Sequence, residues 1–427
     1  MLGSVGAVEE VDALVVGGGP AGLAAATALA RAGARTVVVD RESELGGIPR
    51  HTDHLGYGMR EFRRILRGPA YARAWVARAV HAGADLRRAT TVTGWTDGDG
   101  AAGRAVTTTS PGGMGVIRAR AVLLATGTRE RPRTARLIPG TRPAGLLTTG
   151  ALQQLAMLGR GIVGRHAVVV GAEHVSFSAV LTLRHAGCGV AAVVTDKRRH
   201  QSYAALCLAA TRGRIPVLTR TVLTAITGRR RVEAVELTGL DTGAIHRLEC
   251  DTVVFTGDWF PEHELARRGG LVMDPGTRAP VVDAGYRTSA PGVFAAGNLL
   301  HGAETAGVCA RDGDWVAEAM LDWLDAGTPT WPVADAVPVE CAPPFRWVSP
   351  NAVGPGMALP HGRFLLRSTA FARWPRVTVD QGGRTLWSGR LRRTVPTMPI
   401  HLRADWLDRI DPNGGAVHVS IEVSSLV

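Results

Sequence analysis

Residues 17–22 read Gly17-Gly18-Gly19-Pro20-Ala21-Gly22, three glycines at G-x-G-x-x-G spacing. That spacing suits the holding of a dinucleotide pyrophosphate against bare backbone. Gly17 allows a tight turn, Gly19 lets a phosphate approach the main chain, and Gly22 lets a helix pack closely on a strand. Pro20 and Ala21 open the helix whose N–H groups and partial positive charge would meet the phosphates. Asp40 stands about where a carboxylate meets a ribose hydroxyl. Other titratable residues lie farther along. Arg50, His51, His54 and Tyr57 share one polar loop, and His301 and Glu304 precede a helix-like stretch. A histidine titrates in the range useful for proton transfer.

The elements that must position these residues are legible as patterns. Residues 13–16 are an apolar run that predicts a buried strand, residues 20–32 a small-residue helix, and residues 36–39 a second strand. A second unit of the same kind follows. Residues 166–171 predict a strand, 172–186 a helix, and 190–195 a strand ending at Asp196. Its fingerprint, Gly171-Ala172-Glu173-His174-Val175-Ser176, keeps only the first glycine. Glu173 replaces the glycine that would admit phosphate, and a carboxylate there repels it. This half is expected to keep the fold with a weakened or lost nucleotide site. Lys197, Arg198 and Arg199 read either as contacts to a 2′-phosphate or as a solvated loop. The Pro-, Gly- and Arg-rich residues 131–145 predict a linker, and Arg229-Arg230-Arg231 an exposed hairpin turn. The expected class is α/β: two Rossmann-like dinucleotide-binding domains, one interrupted by the other, then a small β-rich C-terminal domain. The expected boundaries are 8–142 with 258–332, then 143–257, then 338–427. Residues 328–332, with two prolines, are expected to break the last helix.

Two further segments narrow the dinucleotide. They are Ala121-Val122-Leu123-Leu124-Ala125-Thr126-Gly127 and Gly292-Val293-Phe294-Ala295-Ala296-Gly297-Asn298. With the first fingerprint they resemble the FAD signature of two-dinucleotide-domain flavoproteins, the group that includes thioredoxin and glutathione reductases. The resemblance narrows through Glu44-Leu45-Gly46-Gly47-Ile48-Pro49-Arg50-His51, residues 66–72, residues 126–132, Thr148-Thr149-Gly150 and Gly297-Asn298-Leu299-Leu300-His301. These are similar to a branch with the FAD subunits of opine oxidase and hydrogen cyanide synthase. The branch also includes anaerobic glycerol-3-phosphate-dehydrogenase-like proteins and the sarcosine oxidase α subunit.

The resemblance implies non-covalent FAD held by Gly17, Gly19, Pro20, Ala21, Gly22, Asp40, Arg41, Gly46, Gly47, Ala125, Thr126, Gly127, Gly297, Asn298, Thr305 and Ala306. Asn298 takes the place of the family's usual aspartate, and Thr305 also reads as a helix cap. Gly46 and Gly47 would run the chain close to the flavin or form an ordinary turn. It further implies that the helix after His301 faces the flavin pyrimidine, where reduced flavin gathers negative charge. His301 and Glu304 before that helix, and His51 and Arg50 in the polar loop after Gly47 that could bind an anionic substrate or stabilise reduced flavin, are the candidate catalytic residues, with Glu304 expected to raise the His301 pKa and hold its ring. The implied reaction is hydride transfer from a small amine, amino acid or polyol phosphate to FAD, then electron transfer to a partner, quinone or oxygen. The alternatives are an NAD(P)H-driven reductase and an FAD-loaded scaffold subunit. NAD(P) binding is doubtful on Glu173 and Ser176.

Composition bounds the rest. The chain has 427 residues and a formal charge of +12, and Lys197 is its single lysine. Dispersed arginines form no nucleic-acid stripe. No run approaches the roughly 20 apolar residues of a membrane span, and the expected location is cytoplasmic, without a cleaved signal. Cys188, Cys207, Cys250, Cys309 and Cys341 contain no C-x-x-C pair, which excludes a redox disulfide of that type and a closely spaced Cys₄ cluster. No metal is expected. The C-terminal domain shows no catalytic motif and is expected to mediate association, making the protein a homo-oligomer or part of a hetero-oligomer.

Overall fold

The computed structural model describes residues 8–96, 104–159, 161–326, 331, 336–354 and 357–422. The expected helix break at residues 328–332 lies, apart from Trp331, outside them. The chain divides into two compact units. The first holds residues up to 50, 54–128 and everything from 261 on; the second holds 51–53 and 129–260.

The first unit is built on strand Glu9–Val16. It pairs in parallel with Thr36–Val39 on one side and Gly113–Leu124 on the other. Asp85–Arg87 extends one edge, and Val293–Ala295 joins Gly113–Leu124, also in parallel. Arg104–Ser110 and Thr91–Trp95 add antiparallel strands. Thr36–Val39 is buried at every position, as expected of a parallel strand covered on both faces.

Helices Pro20–Arg31 and Ala306–Asp325 cross on that sheet through small residues. A Cβ on Gly313 would fall 2.1 Å from the Ala21 carbonyl oxygen, and one on Gly297 would fall 2.8 Å from Ala21 Cβ. Any larger residue at Gly313 overpacks this crossing, at a cost of about 1–3 kcal/mol.

The C-terminal residues belong to the first unit. One sheet runs Ala352–Val353, Val337–Cys341, Val417–Glu422, Arg376–Gln381, Arg384–Arg390. A second runs Phe345–Ser349, Arg363–Ser368, Ile400–Arg403. Alternate residues of both enclose one core: Val337, Val339, Val377, Val379, Val417 and Val419 from the first, Phe364, Leu366, Ile400 and Leu402 from the second. Phe364 stacks on Trp406 with ring centroids 5.2 Å apart.

The second unit is an all-parallel sheet, Leu146–Thr148, Thr252–Phe255, His166–Val170, Gly189–Val194, Val217–Leu218. Helix His174–His185 covers it. A three-stranded antiparallel sheet, Thr221–Thr227, Ala234–Gly239 and Ile245–Glu249, follows. Arg229 and Arg230 are exposed at the expected hairpin turn. Arg231 turns inward instead, donating to the carbonyls of Asp251 and Val163. The linker forms a short 3-10 helix, Arg133–Arg136, and is tied into this unit by bridges from Gly140 to Ile226 and from Ala144 to Arg231.

Candidate functional site

The first fingerprint is an open cradle. Gly17 has φ +113°, and a Cβ there would strike the Ala125 carbonyl oxygen at 2.4 Å. A Cβ on Gly22 would lie 1.9 Å from the Gly17 carbonyl oxygen. Both positions therefore require glycine. A Cβ on Gly19 would meet nothing nearer than Gly47 Cα at 4.0 Å. Gly19 is the N-cap of helix Pro20–Arg31, and no side chain caps that helix. Its first N–H groups are left for an outside acceptor. Asp40 braces the cradle: Oδ2 accepts from Gly18 N at 2.7 Å and Oδ1 from Glu42 N at 2.9 Å. Gly46 and Gly47, both at positive φ, run against this loop, with Gly46 N donating to Gly18 O at 2.7 Å. These residues fit the pyrophosphate and ribose of FAD.

Other expected contacts are partly occupied by the protein itself. Arg41 pairs with Glu262 at 3.3 Å. The Thr126 hydroxyl donates to the Glu262 carbonyl at 2.7 Å, while Gly127 takes φ +76° after the strand end at Ala125. Asn298 brackets the backbone of Glu304, accepting from its N at 2.9 Å and donating to its O at 3.2 Å. Thr305 caps helix Ala306–Asp325 by accepting from Val308 N. Arg50 is drawn to the Glu42 carboxylate at 3.0 Å and to the Glu44 carbonyl. His51 is buried, and His54 stacks on Tyr57.

The region of His301 and Glu304 holds the main surprise. Asp312, fully buried on the long helix, gathers three side chains. His301 Nε2 lies 2.9 Å from Oδ2, and His361 Nε2 lies 2.9 Å from Oδ1. The Tyr286 hydroxyl donates to Oδ1 at 3.0 Å. Burial alone would strip the proton from His301, but the charge and hydrogen bond of Asp312, with a lesser contribution from Glu304, raise its pKa above the ordinary histidine value. Burial works against the Asp312 charge too, yet His301 and then His361 hold its carboxyl below the usual range. The expectation that Glu304 holds the imidazole is corrected here. Asp312 holds it, because Glu304 is ion-paired with the buried Arg367, which also donates to the carbonyls of Gly302, at 3.4 Å, and Thr397.

Sequence reasoning missed Asp312, His361 and Arg367. One signal was available for Asp312. It lies among Cys309, Gly313, Val316, Ala317 and Met320 on the buried face of its helix, where a carboxylate needs partners.

The second fingerprint is closed. Glu173 is the N-cap of helix His174–His185, and it forms a capping box with Ser176. A Cβ on Gly171 would meet Glu173 Oε2 at 2.8 Å, and one on Gly257 would meet Oε1 at 2.9 Å. The carboxylate thus fills the space over the turn. Burial pushes its pKa upward, against hydrogen bonds from Thr256 and Ser176. Glu130 lies nearby, accepting from Gly150 N at 3.0 Å, and burial pushes it up to about 7. Lys197 pairs with Asp196 at 2.9 Å.

A family profile, pyridine nucleotide-disulphide oxidoreductase, covers residues 11–313. The chain belongs to that family. It is therefore an oxidoreductase of an FAD-binding family whose fold also carries an NAD(P)-type domain. The chain is 31% identical over 299 residues to the alpha subunit of sarcosine oxidase from Corynebacterium sp. (strain P-1), covering 64% of this chain and 29% of that protein. An opine oxidase subunit from Agrobacterium tumefaciens (strain Ach5) is 34% identical over 152 residues, covering 33% of this chain and 28% of that protein. The chain thus spans under a third of the length of these two relatives. The fold agrees with T. acidophilum thioredoxin reductase, with a TM-score of 0.60 at 21% identity over 74% of this chain and 98% of that one. Unlike a protein with a C-x-x-C redox pair, this chain has five scattered cysteines, and all five are free. Among the described residues no helix is long and apolar enough to cross a membrane.

Proposed function

We propose that the chain is an FAD-dependent dehydrogenase or oxidase acting on a small amine, amino acid or polyol phosphate, with electrons leaving to a partner, quinone or oxygen. The carrying observation is the contrast between the open first cradle and the closed second one. Gly17 and Gly22 let the turn and helix close up on their own backbone, and Gly19 leaves open space for a pyrophosphate, whereas Glu173 fills the equivalent space. FAD, when bound, supplies a two-electron acceptor. The residues of the first unit then do the rest. The helix start at Pro20 binds phosphate, and Asp40 offers its remaining lone pairs to the ribose. Asp312 keeps a proton on His301 Nε2 and sets the ring. His301 Nδ1 is buried and meets no acceptor among the described residues. Protonated His301 thus offers an N–H and a positive charge at the start of the helix expected to face the pyrimidine, where they stabilise developing negative charge. Arg50 serves the loop through Glu42.

Anaerobic mixing tests the reading. The purified protein should carry about one FAD, and a panel of amines, amino acids and polyol phosphates should contain a compound that bleaches it. Micromolar NADH and NADPH should not. In His301→Ala, flavin should stay bound while its reduction slows roughly 10²-fold. Rapid bleaching by NADPH would overturn the proposal in favour of a reductase. A second reading, an FAD-loaded scaffold subunit, draws support from relatives named as oxidase subunits. Flavin that no donor reduces without a second chain would favour it.

A further inference from the structure

The small sheet of the C-terminal residues has two unlike faces. Phe364, Leu366, Ile400 and Leu402 turn into the core. Alternation puts Arg363, Leu365 and Arg367 on the other face, and the register sets His401 across from Leu365. Arg367 ties this face to the helix start through Glu304 and the Gly302 carbonyl. His361, two residues before Arg363, reaches Asp312. Arg311 adjoins Asp312 on the helix. The segment carrying Arg60 and Glu61 meets the same helix one turn earlier, where a Cβ on Gly307 would lie 2.6 Å from Glu61 Oε1.

Positive groups therefore converge from three parts of the chain. Burial lowers the Arg311 pKa, and Arg60 and Arg363 lower it further; Asp312 and Glu61 only partly offset them. His401 is pushed down to about 4 by burial and by Arg363, Arg311, Arg367 and His361. Two of the local acids are committed, Asp312 to two histidines and a tyrosine and Glu304 to Arg367. Glu61 is the acid that faces the arginines: its buried Oε1 meets no hydrogen-bond partner among the described residues, and its charge offsets part of theirs at Arg311. Among the described residues, Arg60, Arg311 and Arg363 form no ion pair with a carboxylate. Arg60 is exposed and the other two are half-buried, so the group is open to solvent. Guanidinium groups held in mutual repulsion are a ready receptor for an oxyanion, which each can meet with paired N–H donors.

We propose that Arg60, Arg311 and Arg363 form an oxyanion site beside the His301–Asp312 pair, built to take the carboxylate or phosphate of a small organic molecule. That the molecule is the substrate rests on the proposed function. The anion site itself does not.

The test is calorimetric titration of the full-length protein with inorganic phosphate and with acetate, at pH 7.5 and matched ionic strength in chloride. Arg363→Gln, Arg311→Gln and the exposed Arg60→Gln are compared with the wild type, and Arg229→Gln in the second unit controls for net charge. We expect saturable binding of at least one anion, weakened about tenfold or more in Arg363→Gln and Arg311→Gln, less in Arg60→Gln, and unchanged in Arg229→Gln. Binding of phosphate alone names a phosphate ligand; binding of acetate names a carboxylate. Saturable binding of neither anion, or equal binding in all variants, overturns the proposal. The readout needs no flavin. A protein that binds phosphate but purifies without FAD would sink the proposed function and leave the oxyanion site standing.

Discussion

The two fingerprint turns follow similar strands and open similar helices, yet they treat the helix start in opposite ways. At Gly19 the helix has no side-chain cap and its N–H groups are available. At Glu173 the chain supplies its own acceptor, and Ser176 completes a capping box. The buried acids of the two units differ in the same sense. Asp312 sits between two histidines, which hold its carboxyl low. Glu173 and Glu130 lie near each other with Arg136 as the compensating cation, and burial drives both upward. A phosphate site needs an empty, positive helix start. The first unit keeps one, and the second has filled its own with a carboxyl group.

The sharpest way to break this contrast is to close the open turn. Gly19→Val should abolish flavin binding altogether, read as loss of the yellow absorbance in purified protein. Full FAD retention would remove the cradle assignment. Next in size is Asp312→Asn, which leaves His301 and His361 without their shared carboxylate. A loss of about 3 kcal/mol of unfolding free energy is expected, as for other broken buried pairs. The folded pKa of Asp312 lies below its unfolded value, so its contribution is present above about pH 4 and is lost as pH falls. The raised pKa of His301 gives the complementary sign, with stability present below about pH 6.5 and lost as pH rises through the folded value. Denaturant unfolding from pH 3 to 9 should show both slopes flattened in Asp312→Asn; parallel curves would count against the pair.

Opening the closed turn should have a smaller effect. Glu173→Gly with Ser176→Gly removes a cap, costing about 1 kcal/mol. It should also give weak NADPH binding where the wild type has none, measured by fluorescence titration. Tight NADPH binding by the unaltered protein would erase the contrast. The mildest change is Glu130→Gln. The folded pKa of about 7 lies above the unfolded value, so this carboxyl weakens the fold as pH rises from about 4.5 through 7. The glutamine variant should lose part of that decline, with a Tm at pH 8 raised by roughly 2 °C or more. An identical pH dependence would show that Glu130 ionises without cost.

Much of this architecture was legible because its signals are local. Apolar runs of four to eight residues, glycines at fixed spacing and a helix of small residues each constrain only their near neighbours. The first turn, the degenerate second turn and the C-terminal strands could all be read that way. Glu173 was legible for the same reason, since its spacing to Gly171 and Ser176 places it at a helix start whatever surrounds it. The inward turn of Arg231 was not, since an arginine triplet between strands looks solvated until Val163 and Asp251 arrive from distant segments.

The sequence by itself determined the α/β class, the order of the nucleotide-binding elements and the identity of the groups at each helix start, because strand burial, turn conformation and capping are settled within a few residues. Only the tertiary structure decided what those groups are paired with. Asp312 meets His361 across 49 residues and Glu304 meets Arg367 across 63. No periodicity encodes such a meeting. It arises when the C-terminal sheet is pressed by its own core against the start of the last long helix. There burial makes an unpaired charge costly, so the partners of His301 and Glu304 are chosen by packing.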